Sequence, residues 1–470
     1  MRHCNQGRFR QQISFLRRQF LQDSGLPFSD VLSKEIVEQA LTTVGVIWND
    51  GIYTPLVTVW VFLGQVLSAD HSCRAAVSRL IAHRISHGQR ACSPETSAYC
   101  QARKRLPEAF FSLVACAVGR ALDDQVNPHW LWKERRVYMF DGTTVSMPDT
   151  PENLEAYSKT YNQKPGLGFP IARVGAIMSL SCGAILNVGF CRYAGKGQGE
   201  VSLLRRMWNI LRPGDVLLAD SLMSNWTSIA MLQERGFELV SRLNKAHRKA
   251  DFRKGTRLGK DDHIVRWRKP TSIRSVDRKT YHALPDFVTV RELRVRVKQP
   301  GFRTKSVVVV TTLLDPQEFS QEDLAELYRM RWTNEVDLRS IKSTMQMNVL
   351  RCKTPELVRK EVWTHVLAYN LIRTIMAQAA SKHHLPPRSI SFKGTIQTLE
   401  AFQPVIAMQG SNAATLVNLY ELLLDAIAAH RVANRPDRFE PRVRKRREKP
   451  YGYLRKPRAE IKREMAKQVR

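Results

Sequence analysis

The chain has 470 residues, of which 43% are hydrophobic, and its formal net charge is +31. It is long enough for roughly two to four domains, and its apolar content excludes wholesale disorder. The excess of Lys and Arg favours a polyanionic partner. Nucleic acid ranks ahead of an anionic membrane and ahead of a charged surface without any partner.

The eight cysteines include no pair with C-x2-C spacing, which argues against a zinc knuckle or ribbon. Their sparse use predicts reduced thiols and a cytoplasmic, nucleoid-associated protein. The first residues lack the apolar core of a signal peptide. The most apolar run, residues 53–67, is shorter than the roughly 20 residues of a membrane span. It is predicted to be a buried helix, and no membrane partner is expected.

Helical periodicity dominates the first 130 residues, where apolar positions recur at intervals of three and four. A short basic segment, Arg103, Lys104 and Arg105, precedes Pro107 within this region. Short basic helices are plausible readers of DNA, so the three residues are candidate DNA contacts. A solvated face of a core helix explains the same pattern about equally well.

Beyond residue 130 the chain alternates strand-like and helical runs, which predicts an α/β fold with a mixed sheet covered by helices. The C-terminal stretch contains 13 Lys or Arg against 3 Glu and is expected to be a flexible or partly helical arm. The predicted regions are a helical, DNA-binding region at 1–130, the first part of a catalytic core at 131–242, a β-rich insertion at 243–305, the second part of the core at 306–380, a helical region at 381–441 and a basic tail at 442–470.

Two acids are predicted to lie at the ends of apolar strands. Asp141 ends the apolar part of "VYMFDGTT", and Asp220 ends "DVLLAD". Strand ends can point side chains into a shared crevice while the strands stay rigid. Either Asp alone is more simply a turn residue, but two in one predicted sheet favour a site.

A third acid comes from a predicted helix, "LYRMRWTNEVDLRSIKSTMQM", at residues 327–347. At about 100° per residue, one face of a continuous helix carries a set of four side chains. These are Tyr328, Arg331, Glu335 and Lys342. Asp337 falls on the opposite face and is interpreted as a solvated charge. A charge-paired surface helix would explain Arg331 and Glu335 alone, but not their place directly after a buried strand.

Three carboxylates without His or Cys ligands suit Mg²⁺, or Mn²⁺, better than Zn²⁺. Two such ions about 4 Å apart would serve an in-line displacement at a phosphodiester. In that arrangement Arg331 and Lys342 would hold neighbouring phosphates. Tyr328 would pack on a sugar or hydrogen-bond a phosphate.

The spacing Tyr328-x2-Arg331-x3-Glu335-x6-Lys342 resembles the signature of the DDE transposases of bacterial insertion sequences. "DGTT" at Asp141 and "LLAD" at Asp220 look like the first and second acidic motifs of that family, in the same order. The resemblance covers roughly residues 95–375. It implies a ribonuclease-H-like fold with a β-rich insertion between the second and third acids.

The resemblance also implies a metal-dependent reaction on double-stranded DNA, with cleavage at the inverted-repeat ends of the element. The freed 3′-hydroxyls would then join to target DNA. Carried over by position, the catalytic and metal-binding triad is Asp141, Asp220 and Glu335, with two ions per active site. Cutting two ends together implies a dimer or a higher assembly on DNA.

Two departures from the family pattern concern residues around the acids. Ser221 follows the second acid, where relatives often carry a basic residue. The strand before the signature, "SVVVV", has no aromatic residue to stack on a flipped base, so both a hairpin and another excision route stay open. Trp267 in the insertion is the alternative for such stacking.

Two rival functions remain open from the sequence. One is a ribonuclease-H-like nuclease that cuts without strand transfer. The other is a catalytically inactive DNA-binding protein, which would bind DNA through the same net charge with steep salt dependence but without needing Mg²⁺.

Overall fold

The computed structural model describes residues 32, 34–47, 51–160, 167–246, 248–271, 273, 275–296, 306–408, 413–432 and 454–468, and of residues 332–335 it describes the backbone alone. The N-terminal part of this range is helical, as its periodicity predicts. Its helices are α1 (Lys34–Val44), α2 (Pro55–Leu67), α3 (Cys73–Ser86), α4 (Ser97–Arg105) and α5 (Glu108–Asp124).

Side chains cap the N-termini of two of these helices. Thr54 Oγ1 accepts a hydrogen bond from the backbone N of Val57 before α2, and Ser72 Oγ accepts one from Ala75 N before α3. Each cap satisfies one of the amide groups that the first helical turn leaves without an intrahelical partner. Helix α2 includes the apolar run of the sequence, and most of its side chains are buried, as predicted.

A nine-stranded mixed sheet forms the centre of the described structure, in the order β3-β2-β1-β4-β5-β9-β8-β7-β6. Its strands are β1 (Val137–Ser146), β2 (Ile171–Ser179), β3 (Ile185–Arg192), β4 (Val216–Ala219), β5 (Glu238–Arg242), β6 (Thr256–Gly259), β7 (Asp262–Arg268), β8 (Phe287–Arg296) and β9 (Ser306–Thr311). Strand β1 is antiparallel to β2 and parallel to β4, and β4 is parallel to β5.

Helices cover both faces of this sheet, because side chains alternate between the faces along each strand. On β1, Val137 and Met139 belong to one hydrophobic core, while Tyr138 and Phe140 belong to the other. Between these strands run α6 (Pro151–Ala156), α7 (Glu200–Met207), α8 (Trp226–Gln233) and α9 (Arg278–Ala283). The predicted α/β class, a mixed sheet covered by helices and flanked by helical regions, is confirmed.

The segment predicted as a β-rich insertion contributes β6, β7 and β8, which continue the same sheet beyond β9. Trp267 on β7 is only 2% exposed, and its Nε1 donates to Glu292 Oε1 at 2.8 Å. The guanidinium of Arg248 covers the ring at 4.4 Å. The suggestion that Trp267 stacks on a flipped base is therefore wrong, because the indole is part of the core.

The second half of the core contains α10 (Gln321–Met330), α11 (Trp332–Arg339) and the long helix α12 (Pro355–Lys382). Then follow α13 (Phe392–Met408), α14 (Ala413–Ala429) and α15 (Arg458–Gln468). Helix α15 lies in the basic tail. Residues 442–453 of that tail lie outside the described residues. No helix in the described part of the chain is long and apolar enough to cross a membrane.

Helix α5 approaches β3 closely at Gly119, and this contact generates a stability prediction. A Cβ at Gly119 would lie 2.3 Å from the backbone O of Ile185, whereas a Cβ at Gly64 in α2 meets no atom within 4 Å. We expect Gly119→Ala to lower the free energy of unfolding by about 1–3 kcal/mol through overpacking. Gly64→Ala should raise it by roughly 0.5–1 kcal/mol, because alanine has the higher helix propensity.

Urea denaturation of both variants measures these two changes. Equal effects of the two substitutions would contradict the close approach between α5 and β3.

Candidate active site

The first two predicted acids stand side by side on parallel neighbouring strands. Met139 on β1 pairs with Leu218 on β4, and Asp141 and Asp220 each come two residues after their member of this pair. Asp220 directly follows the last residue of β4, as predicted. Asp141 does not end its strand, because β1 continues to Ser146 in its pairing with β2. The site therefore forms where the short β4 ends beside the long β1.

Burial governs the ionisation of Asp141. It raises the pKa of this carboxyl to about 6, and the negative charges of Glu200 and Asp220 act in the same direction. The amide of Gly142, which donates to Asp141 Oδ1 at 2.8 Å, and the charge of Arg331 oppose the rise in pKa. Asp141 is thus held among other acids and one arginine, in a position where a cation would stabilise its charged form.

The signature segment is not the single continuous helix that the sequence predicts. Helix α10 ends at Met330, α11 begins at Trp332, and a π-helical turn occupies Ser340–Thr344. In this turn the amide of Met345 donates to Ser340 O at 3.0 Å, five residues earlier. Such turns insert an extra residue into a helix and are frequent at functional sites. Angles counted along an ideal helix therefore fail beyond Arg339.

Lys342 nevertheless reaches the acidic site. Its Nζ donates to Thr143 Oγ1 at 3.1 Å, and Thr143 lies two residues after Asp141 on the same face of β1. Burial lowers the pKa of Lys342. The signature lysine and the first acid are thus neighbours on the sheet.

Tyr328 and Arg331 lie at the junction between α10 and α11. Tyr328 is 7% exposed and packs in the hydrophobic core, which differs from the predicted packing against a sugar. The Cζ of Arg331 lies 6.0 Å from the centre of the Tyr328 ring. Arg331 is near enough to the acidic site for its charge to lower the pKa of Asp141. Tyr328 therefore supports Arg331 from beneath.

Glu335, the third predicted acid, belongs to α11, and its side chain lies outside the described residues. Helix α11 contacts β1, the strand that carries Asp141. The element that bears the third acid is thereby close to the first.

Asp337 is not the solvated charge that the helical wheel predicts. It is 1% exposed and forms ion pairs with Arg373 of α12 and with Arg388 Nη1, the latter at 2.8 Å. Arg388 also donates through Nη2 to Ser179 O at 2.8 Å, at the end of β2. The prediction is wrong because α12 and the 387–389 turn cover the face of α11 that an isolated helix would expose to water.

The three basic candidates of the N-terminal region differ in their exposure. Lys104 and Arg105 are exposed and stay candidates for DNA contacts. Arg103 is 5% exposed, with its guanidinium enclosed between helices. The prediction that Arg103 contacts DNA is wrong for this reason, and its side chain has another environment, described below.

Two further charged residues border the site and were missed from the sequence. Glu200, the first residue of α7, is paired with Arg173 Nη1 at 2.9 Å and lies beneath Gly142, where a Cβ would come within 2.7 Å of the carboxylate. The signal was a glycine directly after Asp141, which allows this approach.

Arg242 is the second missed residue. Its Nη2 lies 3.4 Å from Ser221 Oγ, so β5 supplies a cation beside the serine that follows Asp220. Arg242 and Lys245 line a cavity of about 230 Å³ together with Ser221 and Asn244. The basic group that many relatives carry next to the second acid thus comes from the neighbouring strand, which no local motif could reveal.

Carboxylates are the metal-binding groups that the site offers. Within the described side chains no group of three or more His, Cys, Asp or Glu residues is arranged to hold a metal ion. Asp141 and Asp220 remain the described pair, and Glu335 is the group that would complete a set of hard oxygen ligands.

The raised pKa of Asp141 gives a pH-dependent stability prediction. The folded protein holds the proton up to about pH 6, whereas the unfolded chain releases it near 3.8. The free energy of unfolding therefore falls as pH rises through this window and stays lower above it. We expect Asp141→Asn to stabilise the metal-free protein at pH 8 by roughly 1–2 kcal/mol and to have little effect below pH 4.

Thermal unfolding at pH 4, 6 and 8 measures this difference, with Asp286→Asn at an exposed position as the matched control. A stabilisation that did not vary with pH would show that the charge of Asp141 is not its cause.

The buried ion pairs of Asp337 give a second prediction. Removing one partner leaves buried guanidinium groups without their counter-charge, so we expect Asp337→Asn to cost about 3–5 kcal/mol of unfolding free energy. Asp149 pairs with Lys159 at 2.6 Å on the surface, and Asp149→Asn should cost at most about 1 kcal/mol. Chemical denaturation measures the unfolding free energy of both variants. Similar small losses in the two would show that Asp337 is exposed to solvent.

Comparisons with known proteins agree with these motifs. A family model described as "Transposase DDE domain" matches residues 132–371. The chain is 28% identical over 444 residues to the transposase InsG for insertion sequence element IS4 of Escherichia coli (strain K12), covering 90% of this chain and 92% of that relative. It is 35% identical over 82 residues to the transposase for insertion sequence element IS421 of Escherichia coli, covering 17% of this chain and 21% of the relative.

A solved structure of a piggyBac transposase synaptic complex with hairpin DNA aligns with 85% of this chain and 84% of its own, with a TM-score of 0.43 and 9% identity. The family model, by contrast, covers more than half of the chain. This chain therefore belongs to the insertion-sequence transposases with a DDE domain.

Proposed function

We propose that this transposase cleaves DNA at the ends of its own insertion sequence and transfers the freed 3′-hydroxyls into target DNA. The observation that carries the proposal is the register of β1 and β4, which brings Asp141 and Asp220 to the same level. The signature residues Arg331 and Lys342 approach the same acids from the other end of the chain. Acids beside phosphate-binding cations are the arrangement that phosphoryl transfer requires.

The donor set fits a hard divalent cation. Burial raises the pKa of Asp141, the negative charges of Glu200 and Asp220 add to this rise, and a cation would stabilise the charged carboxylate. We propose Asp141, Asp220 and Glu335 as the ligands of two Mg²⁺ ions, with Mn²⁺ as a substitute. When bound, such a pair activates the attacking water or 3′-hydroxyl and stabilises the leaving oxygen.

The chain's own cations hold the DNA backbone. Lys342, which donates to Thr143, and Arg331, whose charge acts on Asp141, would contact phosphates on either side of the scissile bond. Arg242 and Lys245 would bind a further phosphate beside Asp220. Lys104 and Arg105 lie in the helical region that we propose as a second DNA contact. The net charge of +31 supports binding over an extended stretch of duplex.

Cutting both ends of an element together calls for one active site at each end. We therefore propose that two or more protomers act on paired double-stranded DNA, at the terminal repeats and at the target. Assembly on DNA would join two copies of the site described here.

The decisive experiment is cleavage of a labelled duplex that carries the element's own end, in Mg²⁺ or in EDTA. We expect the unaltered protein to cut only with Mg²⁺, and Glu335→Gln to bind the duplex but cut at least about 10²-fold more slowly, since it lacks one metal-binding charge. The matched control is Glu326→Gln, the same chemical change at an exposed position of α10, which should cut normally.

The products separate this function from its rivals. Joining of labelled 3′-ends to a second duplex supports a transposase reaction, while cleavage without joining supports a nuclease. Binding without cleavage in Mg²⁺ supports an inactive DNA-binding protein. Normal cutting by Glu335→Gln would remove Glu335 from the catalytic set.

A further inference from the structure

Three thiols surround the guanidinium of Arg103 where α3 meets α4. Its Nη2 lies 3.3 Å from Cys73 Sγ and 3.4 Å from Cys100 Sγ, and its Nη1 lies 3.9 Å from Cys352 Sγ. Nη1 also donates to Gln65 Oε1 at 3.2 Å. The four partners of Arg103 come from distant parts of the chain, since Gln65 and Cys352 are 287 positions apart. They therefore form a cluster only in the folded protein.

Arg103 needs a negative partner, because a buried charge without one is strongly disfavoured. In the described part of the chain no carboxylate forms a salt bridge with Arg103. The buried carboxylate of Glu361 instead accepts hydrogen bonds from the backbone amides of Arg351 and Cys352, at 3.0 and 2.9 Å. A thiolate sulfur is the negative group that the cluster itself can supply.

The two outer thiols differ in their ionisation. Cys73 Sγ and Cys100 Sγ lie 4.0 Å apart, and both residues are partly exposed, whereas Cys352 is buried. The contact between the two sulfurs lowers the pKa of the Cys100 thiol, and the charge of Arg103 acts in the same direction against the opposing effect of burial. The same hydrogen bond, together with burial, raises the pKa of Cys73. We assign the nucleophile to Cys100, which precedes Arg103 by one turn of α4 and lies 3.4 Å from its Nη2, and the resolving thiol to Cys73.

We propose that Cys73 and Cys100 form a reversible redox pair, in which a hydroperoxide converts the two neighbouring thiols into a disulfide. The pair is accessible to a small oxidant, and Arg103 contacts both sulfurs. Neither sulfur contacts Asp141, Asp220 or the signature segment in any described contact, so this modification site is distinct from the active site.

Disulfide formation between Cys100 and Cys73 takes two steps. The Cys100 thiolate attacks one oxygen of the peroxide, the O–O bond breaks, and a sulfenic acid and a hydroxide ion form. The Cys73 sulfur then attacks the Cys100 sulfur, the S–O bond breaks, and the oxygen leaves as water with the proton from Cys73. Two thiols are oxidised and one peroxide is reduced to two molecules of water.

A disulfide requires the sulfurs to approach to about 2.05 Å, so α3 and α4 must move closer at this point. Oxidation also removes the thiolate from beside Arg103. Helix α4 carries the exposed Lys104 and Arg105, so the bond would join the first residue of α3 to the basic segment. A metal ion is a poor alternative occupant, because the guanidinium already lies between the sulfurs.

The test uses the reduced full-length protein. Hydrogen peroxide is added in slight molar excess, free thiols are alkylated, and peptides are mapped by mass spectrometry. We expect a Cys73–Cys100 disulfide that dithiothreitol reverses. Cys100→Ser should abolish it, and Cys116→Ser should leave it unchanged, since Cys116 in α5 is partly exposed but belongs to no thiol cluster.

A second measurement needs no variant and therefore does not depend on whether Cys100→Ser folds. Burial raises the pKa of Cys116 to about 12. Iodoacetamide at pH 6.5 should therefore modify Cys100 at least about tenfold faster than Cys116. Equal alkylation rates, or peroxide treatment that yields no Cys73–Cys100 peptide, would overturn the proposal.

Discussion

Parallel pairing between β1 and β4 is the constraint on which the site depends, because it sets two carboxylates at one level of a rigid sheet. Met139 opposite Leu218 determines where Asp141 and Asp220 meet. Strand β4 ends directly before the second acid, Asp220. Strand β1 continues beyond Asp141, and its Thr143 accepts a hydrogen bond from Lys342. Burying two acids so close together costs free energy, and burial accordingly raises the pKa of Asp141.

A second constraint holds the signature segment against this sheet. Asp337 connects α11 to Arg373 of α12 and to Arg388, which in turn binds the end of β2. Such a buried carboxylate contributes little net stability over an apolar replacement, yet losing one partner is expensive. Asp337 lies two residues after Glu335. Helix α11 therefore carries one acid that is buried in the core and one that belongs to the proposed site.

Arg103 illustrates a different use of a buried charge. Its guanidinium contacts two sulfurs and forms no salt bridge with a described carboxylate, and the proposed thiolate would make this cluster sensitive to oxidants. In the proposed active site the cations would bind phosphate, whereas the thiol cluster encloses its cation. The two proposals therefore predict responses to different reagents, the first to divalent metal and DNA, the second to oxidants.

The mixed sheet, the order of the acidic motifs, the spacing of the signature and the strongly basic charge were predictable from the chain alone, because periodicity and motif spacing are local properties. Which charges are buried depends on the packing of distant elements. Asp337, Arg103 and Trp267 all lie inside, since elements distant in the chain pack over them. The π-helical turn, Glu200 beneath Gly142 and Arg242 beside Ser221 likewise follow from contacts between separate elements. A helical wheel describes one helix in water, and it cannot state which of its faces a neighbour will cover.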